Sequence, residues 1–272
     1  MNEWNAMTFD ARDNILRVVK REAEQMFAMA ELPDMWESPT ACTGWTVRDV
    51  IGHMVDTTES YFPAFEAARG GDQAEPAYGL PGMAARVNER ATSFRGTSQA
   101  EMMDRVRADF QKMMDLLEGL TAEDWTGLFV PHFYMGPLPS FFYPAFQLMD
   151  YGVHSWDIRQ GVGRPHGLAG DVADLLAPFM LVLWQYTAAI PPGAEPFEVG
   201  IRVTSGPNAG DYLVNLTPEG WTHEPADAET APVVFEFDPG SLVLTAFGRA
   251  NAGTYRGDPR TADQFLNLFF RI

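Results

Sequence analysis

A single cysteine among 272 residues leaves no partner for an internal disulfide, so a disulfide-stapled scaffold is excluded. Positive charge is scarce as well: 19 Lys and Arg stand against 37 Asp and Glu, a formal net charge of −18, and no basic cluster offsets it locally. A phosphate backbone or an anionic lipid surface is repelled by such a field, which argues against nucleic acid and membrane surfaces as partners. Apolar runs stay well short of the about 20 residues that span a bilayer. The opening residues MNEWNAMTFDARDN lack the basic and apolar regions of a signal peptide, so a cytoplasmic protein is expected. The glycines give no phosphate cradle either, because Gly206-Pro-Asn-Ala-Gly210 lacks a strand-turn-helix context and reads as a turn.

What the chain does have is apolar substance, with 46% hydrophobic residues and length for one large domain or two modest ones. Helical periodicity dominates up to Pro191. In Phe9 to Glu31, Ile15, Leu16, Val18, Val19, Ala23, Met26, Phe27 and Ala30 fall on one face. A second helix is expected from Thr46 to Arg69, opened by Thr-Val-Arg-Asp, which sets an N-cap hydroxyl three residues before a carboxylate suited to the helix dipole. Shorter or longer helical patterns follow at 78–95, 98–120, 140–161 and 168–189. The 14 methionines fit an adaptable helical core.

Beyond the turn Ile190-Pro191-Pro192-Gly193 the period shortens. Phe197 to Val203, Tyr212 to Leu216 and Val233 to Phe237 alternate as half-buried strands, with helical stretches at Ser241 to Phe247 and Thr261 to Phe270. The expected class is therefore α+β: an antiparallel helical bundle over residues 1–190, followed by a small α/β domain over residues 191–272.

Chemistry-bearing residues cluster around histidines. Asp150 and His154 are four residues apart on one helix face, with Gln147 and Asp157 three residues to either side. A carboxylate and an imidazole so placed can share a divalent cation if another helix supplies a third ligand, and His53 is the natural donor. Asp49 and Asp56 stand near His53 at helical spacing, as candidate carboxylates to fix its tautomer. The competing accounts of Asp150 and His154 are an ordinary N–H···O contact and a solvated face. His132 reads as a fourth ligand, an acid/base group or an exposed loop histidine. Cys42 is near a helix N-terminus, yet no histidine in its local segment is placed to activate it, so it reads as a small buried hydrophobe. The aromatic run Phe141, Phe142, Tyr143 and Phe146 reads as bundle core. No role attaches to His166 or His223.

Ala41-Cys-Thr-Gly-Trp-Thr-Val-Arg-Asp-Val-Ile-Gly-His53, with Asp150-Tyr-Gly-Val-His-Ser-Trp-Asp157, resembles the mycothiol-dependent maleylpyruvate isomerase family. Leu244-Thr-Ala-Phe-Gly-Arg249 and Gly257-Asp258 resemble that family's C-terminal domain, so the likeness covers nearly the whole chain. The resemblance implies a DinB-like metal-binding bundle followed by a sterol-carrier-like domain. It implies His53, Asp150 and His154 as ligands of a divalent metal, zinc first, with nickel, iron or manganese as alternatives. Mycothiol is the implied cosubstrate and a small unsaturated acid the implied substrate, in an isomerase or a thiol transferase. Arg249, in the matching Gly-Arg motif, is the implied holder of an anionic group, against an ordinary inter-domain ion pair. Family members commonly carry Glu at position 150, so the shorter Asp150 must draw its helix closer or bind through water. Two rivals stand beside this reading: another metal-assisted reaction on the same fold, and a metal-free ligand-binding or accessory protein.

Overall fold

The computed structural model describes residues 2–70, 76–164, 166–191, 193–250 and 253–268. It divides into two compact units, residues 1–167 and 168–272.

The first unit is built on helices. A short 3-10 turn over Phe9–Ala11 leads into α1 (Arg12–Ala30), followed by α2 (Val47–Gly70), α3 (Met83–Ser93), α4 (Gln99–Glu118) and the one-and-a-half-turn α5 (Ala122–Gly127). A hairpin of β1 (Phe129–His132) and β2 (Gly136–Pro139) then leads to α6 (Phe142–Gly161). The expected periodicity on α1 is the buried face, from Ile15 and Leu16 through Met26, Phe27 and Ala30. That face lies against α6, while α2 packs on α3, α4 and β1. At the head of α2 the Asp49 carboxylate accepts hydrogen bonds from the Thr46 backbone N–H at 2.9 Å and its hydroxyl at 3.1 Å, the acidic half of the expected cap. A Cβ on Gly52 would stand 2.6 Å from the Ala91 carbonyl, so only glycine lets α2 and α3 approach this closely.

The hairpin escapes the sequence patterns because prolines fill it. Pro131 faces Pro137 across the ladder, and a proline in a run argues against a strand. Among the described residues the two strands have no further neighbour, so they need few backbone donors and prolines are tolerated there.

The second unit contains α7 (Gly170–Thr187), β3 (Phe197–Val203), β4 (Gly210–Thr217), β5 (Gly220–Pro225), β6 (Val233–Phe237), α8 (Pro239–Ala246), β7 (Thr254–Gly257) and α9 (Pro259–Leu266). Its sheet has the order β5-β4-β3-β6-β7, with β3 parallel to β6 and the other pairs antiparallel. Trp184 of α7 meets Trp221 of β5 at 5.5 Å, and Phe265 of α9 packs on Trp221, Trp184 and Phe235. The class is α+β. The division falls at Gly167–Leu168 instead of 190, because α7 buries its residues on α8 and β5. Both late helices start earlier than periodicity indicates, at Pro239 and Pro259, each capped by the aspartate before the proline. Phe270, the expected end of the last helix, lies outside the described residues. Strands β5 and β7 carry mostly exposed or half-buried residues, which removes the alternation that marks a strand. No helix among the described residues is long and apolar enough to cross a membrane.

Within the first unit, the loop before α2 is tied to α6. The Ala41 N–H donates to the Asp157 carbonyl at 2.9 Å, and a Cβ on Gly161 would run into the Pro39 backbone. Gly161→Ala is therefore expected to destabilise the protein by about 1–3 kcal/mol in urea unfolding. Gly127→Ala, with open space around it, should stay within about 0.5 kcal/mol.

Candidate metal centre

Four-residue spacing places His53, Thr57 and Tyr61 along one stripe of α2, and Phe146, Asp150 and His154 along one stripe of α6. Members of each stripe stand about 6 Å apart along the axis. The stripes meet at both ends. Tyr61 stacks beside Phe146 at 6.4 Å, and the His53 and His154 rings meet edge-on at 5.1 Å. Between these ends Asp150 places Oδ1 3.9 Å from His53 Nε2.

One donor atom from each of His53, Asp150 and His154 lies within 4.8 Å of the other two. Ligand atoms around a tetrahedral cation stand about 3.3–3.8 Å apart for bonds of about 2.0–2.3 Å, so a small inward movement closes the set. Two further observations fit a cation. The carboxylate of Asp150, only 7% exposed, has no ion-pair partner but His53 among the described residues. Both imidazoles also have Nδ1 engaged elsewhere: His53 with the Thr57 hydroxyl at 3.3 Å, His154 with Asp157 Oδ2 at 2.9 Å. A neutral imidazole that donates through Nδ1 keeps its lone pair at Nε2, the atom a metal needs. The shorter side chain of Asp150 brings a carboxylate oxygen within 4.8 Å of a nitrogen of each histidine.

The partners of the first ring of residues differ from the sequence expectation. Neither Asp49 nor Asp56 serves His53. Asp49 binds Arg95 at 2.8 and 2.9 Å, and Asp56 binds Arg90 Nε at 2.7 and 2.8 Å, because α3 and the turn after it present those guanidinium groups. Burial pushes the Asp49 carboxyl up, but its bonds to Arg95 and Thr46 outweigh that and hold it below its ordinary value. The carboxylate that acts on a candidate ligand is Asp157, which is fully buried. Gln147 turns instead toward Thr58, at 3.5 Å.

Cys42, without a histidine in its local segment, is 3.7 Å from His154 Nδ1 and 3.1 Å from Asp157 Oδ2. That histidine is 112 residues away in the chain, so no local pattern could reveal it. Trp45 likewise carries no chemistry that sequence alone singles out. Its ring lies 5.4 Å from His53 and 6.1 Å from His154, held by an indole N–H that donates to Asn88 at 2.9 Å. It forms an apolar wall over both imidazoles.

His132 sits at the end of β1 against Phe146 at 5.4 Å and Tyr61 at 6.3 Å. It is neither an exposed loop residue nor a member of the ligand triad. Its Nδ1 accepts from the backbone N–H groups of Tyr134 and Met135, each at 3.3 Å, so the neutral ring carries its proton on Nε2. Burial lowers its pKa to about 4, although the negative charge of Asp150 pulls the other way. The ring is therefore neutral near pH 7 and carries an N–H at Nε2. Burial, reinforced by Asp150, also raises the Tyr61 hydroxyl well above its ordinary range, so it keeps its proton. Of the aromatic run expected in the core, Phe142, Tyr143 and Phe146 are buried beneath these groups, whereas Phe141 is half-buried. Arg249 belongs to the second unit, in the turn after α8, where its guanidinium donates to the Phe247 carbonyl at 3.3 Å.

Comparison with known proteins gives a consistent result. The family of the mycothiol maleylpyruvate isomerase N-terminal domain matches residues 19–159, just over half of the chain. A crystal structure of a mycothiol-dependent maleylpyruvate isomerase matches with a TM-score of 0.60 at 16% identity, covering 92% of this chain and 96% of that one. A histidine-to-alanine mutant of a mycothiol-dependent maleylpyruvate isomerase matches at 0.59 and 15%, with the same coverage. At these identities the structural likeness establishes the fold alone. No curated protein sequence matches the chain.

The environment of His132 has a measurable consequence. Its ring should titrate near pH 4 in NMR and remain the Nε2–H tautomer at pH 7. A folded pKa below the unfolded value of about 6.5 means that the unfolded chain binds the proton more readily. The stability that His132 contributes is therefore complete above about pH 6.5 and is lost as pH falls toward 4. His132→Phe should flatten that part of the stability profile.

Proposed function

The chain belongs to the mycothiol maleylpyruvate isomerase family, and from that footing we propose that it is a metal- and mycothiol-dependent enzyme acting on a small unsaturated, maleylpyruvate-like acid, as an isomerase or a thiol transferase. The observation that carries the reading is the convergence of His53, Asp150 and His154, with both Nδ1 atoms already occupied by Thr57 and Asp157. These residues would hold the divalent cation, zinc in first place. Bound there, such an ion supplies Lewis acidity that lets a thiol ionise near neutral pH. Addition of the thiolate to a conjugated double bond leaves a single bond free to rotate, and elimination then gives the other geometric isomer; retention of the adduct gives thiol transfer.

The residues around the triad have distinct parts in this chemistry. Asp157 holds the His154 proton at Nδ1 and so keeps Nε2 free for a ligand. Trp45 excludes water from the two imidazoles, which strengthens every electrostatic interaction beneath it. When a nucleophile adds to a conjugated carbonyl compound, negative charge develops on the carbonyl oxygen. His132, through Nε2–H, and Tyr61, through its protonated hydroxyl, are the neutral donors on this face suited to that oxygen. A neutral donor suits a buried site because it adds no charge to be desolvated.

Protein purified without chelator is expected to contain near-stoichiometric metal by elemental analysis, and His154→Ala to lose it. Asp157→Asn, which keeps the shape but not the charge, should weaken metal binding by about 10–100-fold. Metal-loaded protein should isomerise or conjugate unsaturated keto acids only when mycothiol is added. A wild-type protein that takes up neither zinc nor nickel would overturn the reading. His132→Gln should lower kcat by about 100-fold with little change in KM, as expected for a donor used in the transition state.

A further inference from the structure

The groups around His154 Nδ1 form a second, overlapping constellation. Cys42 Sγ, Asp157 Oδ2 and Nδ1 stand 2.9 to 3.7 Å from one another. Those separations lie within, or a few tenths of an ångström short of, the about 3.3–3.8 Å between ligand atoms on one tetrahedral cation, so a slight opening of the hydrogen-bonded set admits an ion. Sulfur, nitrogen and oxygen donors together favour a thiophilic ion over magnesium or calcium. Charge points the same way. A thiolate beside the fully buried Asp157 carboxylate would put two negative charges in a poorly solvated place, which a divalent cation neutralises. Cys42 itself is only half-buried, so an ion has a route in from its side.

We propose that Cys42 Sγ, His154 Nδ1 and Asp157 Oδ2 form a second cation site, selective for thiophilic divalent ions such as cadmium, that competes with the His53–Asp150–His154 centre. Competition follows from the imidazole. A neutral ring has one lone pair, so ligation at Nδ1 requires the proton to sit on Nε2, where it blocks the first site. Binding replaces the thiol proton, which goes to solvent, while the ring proton moves from Nδ1 to Nε2; one proton is released per ion and nothing is oxidised. The loop that carries Cys42 is pinned to α6 by the Ala41 N–H on the Asp157 carbonyl and by the close approach at Gly161, so the three donors form without a large rearrangement.

The site itself does not depend on the proposed enzymatic reaction; only the competition depends on the first triad being able to bind an ion. Cadmium titration of the full-length, chelator-treated protein tests both, followed by thiolate-to-cadmium charge-transfer absorption and by elemental analysis. Wild type and His53→Ala should both develop the band with a single equivalent of cadmium, and Cys42→Ser should not. His154→Ala should weaken the band-forming affinity at least tenfold, with circular dichroism confirming that each variant is folded. Wild type should saturate at a single ion per chain. An unchanged affinity in His154→Ala would reduce the site to an isolated thiol and overturn the proposal, as would the absence of a band in wild type. Two ions per chain would overturn the competition. Normal cadmium uptake by His53→Ala, in a protein whose wild type showed no thiol-dependent turnover, would leave this site standing while removing the enzymatic reading.

Discussion

Much of this structure's chemistry depends on one hydrogen bond, from His154 Nδ1 to the buried Asp157 carboxylate at 2.9 Å. An imidazole has two nitrogens but, when neutral, a single lone pair, and its partner at one nitrogen decides what the other can do. With Asp157 holding the Nδ1 proton, Nε2 is left for the set it can share with His53 and Asp150. Cys42 reaches the same carboxylate oxygen at 3.1 Å, so a thiol and an imidazole draw on one acceptor. Any change at Asp157 is transmitted to both.

The first unit supplies the alignment that makes this bond useful. The stripes on α2 and α6 run side by side, so His53 and His154 face each other at one end and Tyr61 and Phe146 at the other. Asp150 occupies the turn between, close enough for its charge to be felt by both Tyr61 and His132. Burial then sorts the polar groups. It holds His132 neutral and Tyr61 protonated, whereas Asp49 stays ionised because Arg95 and Thr46 satisfy it. A buried carboxylate gains from an opposite charge, and among the described residues Asp150 has only the His53 ring, 3.9 Å away, to offer one. That is the physical connection between the packing of the helices and the proposed metal-dependent chemistry.

Sequence periodicity alone determined that the chain begins as helices and ends as mixed strands and helices, because burial on one face imposes a period that residue type reveals directly. The Asp150 and His154 spacing and the Gly-Trp-Thr-Val-Arg-Asp run before His53 were equally legible, since each lies within a single helix and its cap. Tertiary structure decided the rest, for physical reasons that differ from element to element. Prolines hid the β1–β2 hairpin because only its isolation from other strands makes them tolerable. The assignment of α7 to the second unit followed from which elements its nearly all-apolar surface met, a matter no single helix encodes. The identity of the carboxylate that serves a candidate ligand turned on where Arg90 and Arg95 lie, for they claim Asp56 and Asp49 and leave His53 to Thr57. Cys42 meets His154 across 112 residues because a loop with a glycine-permitted approach folds onto α6. Sequence carries residue chemistry and local period, but contact between distant segments exists only once the chain has packed.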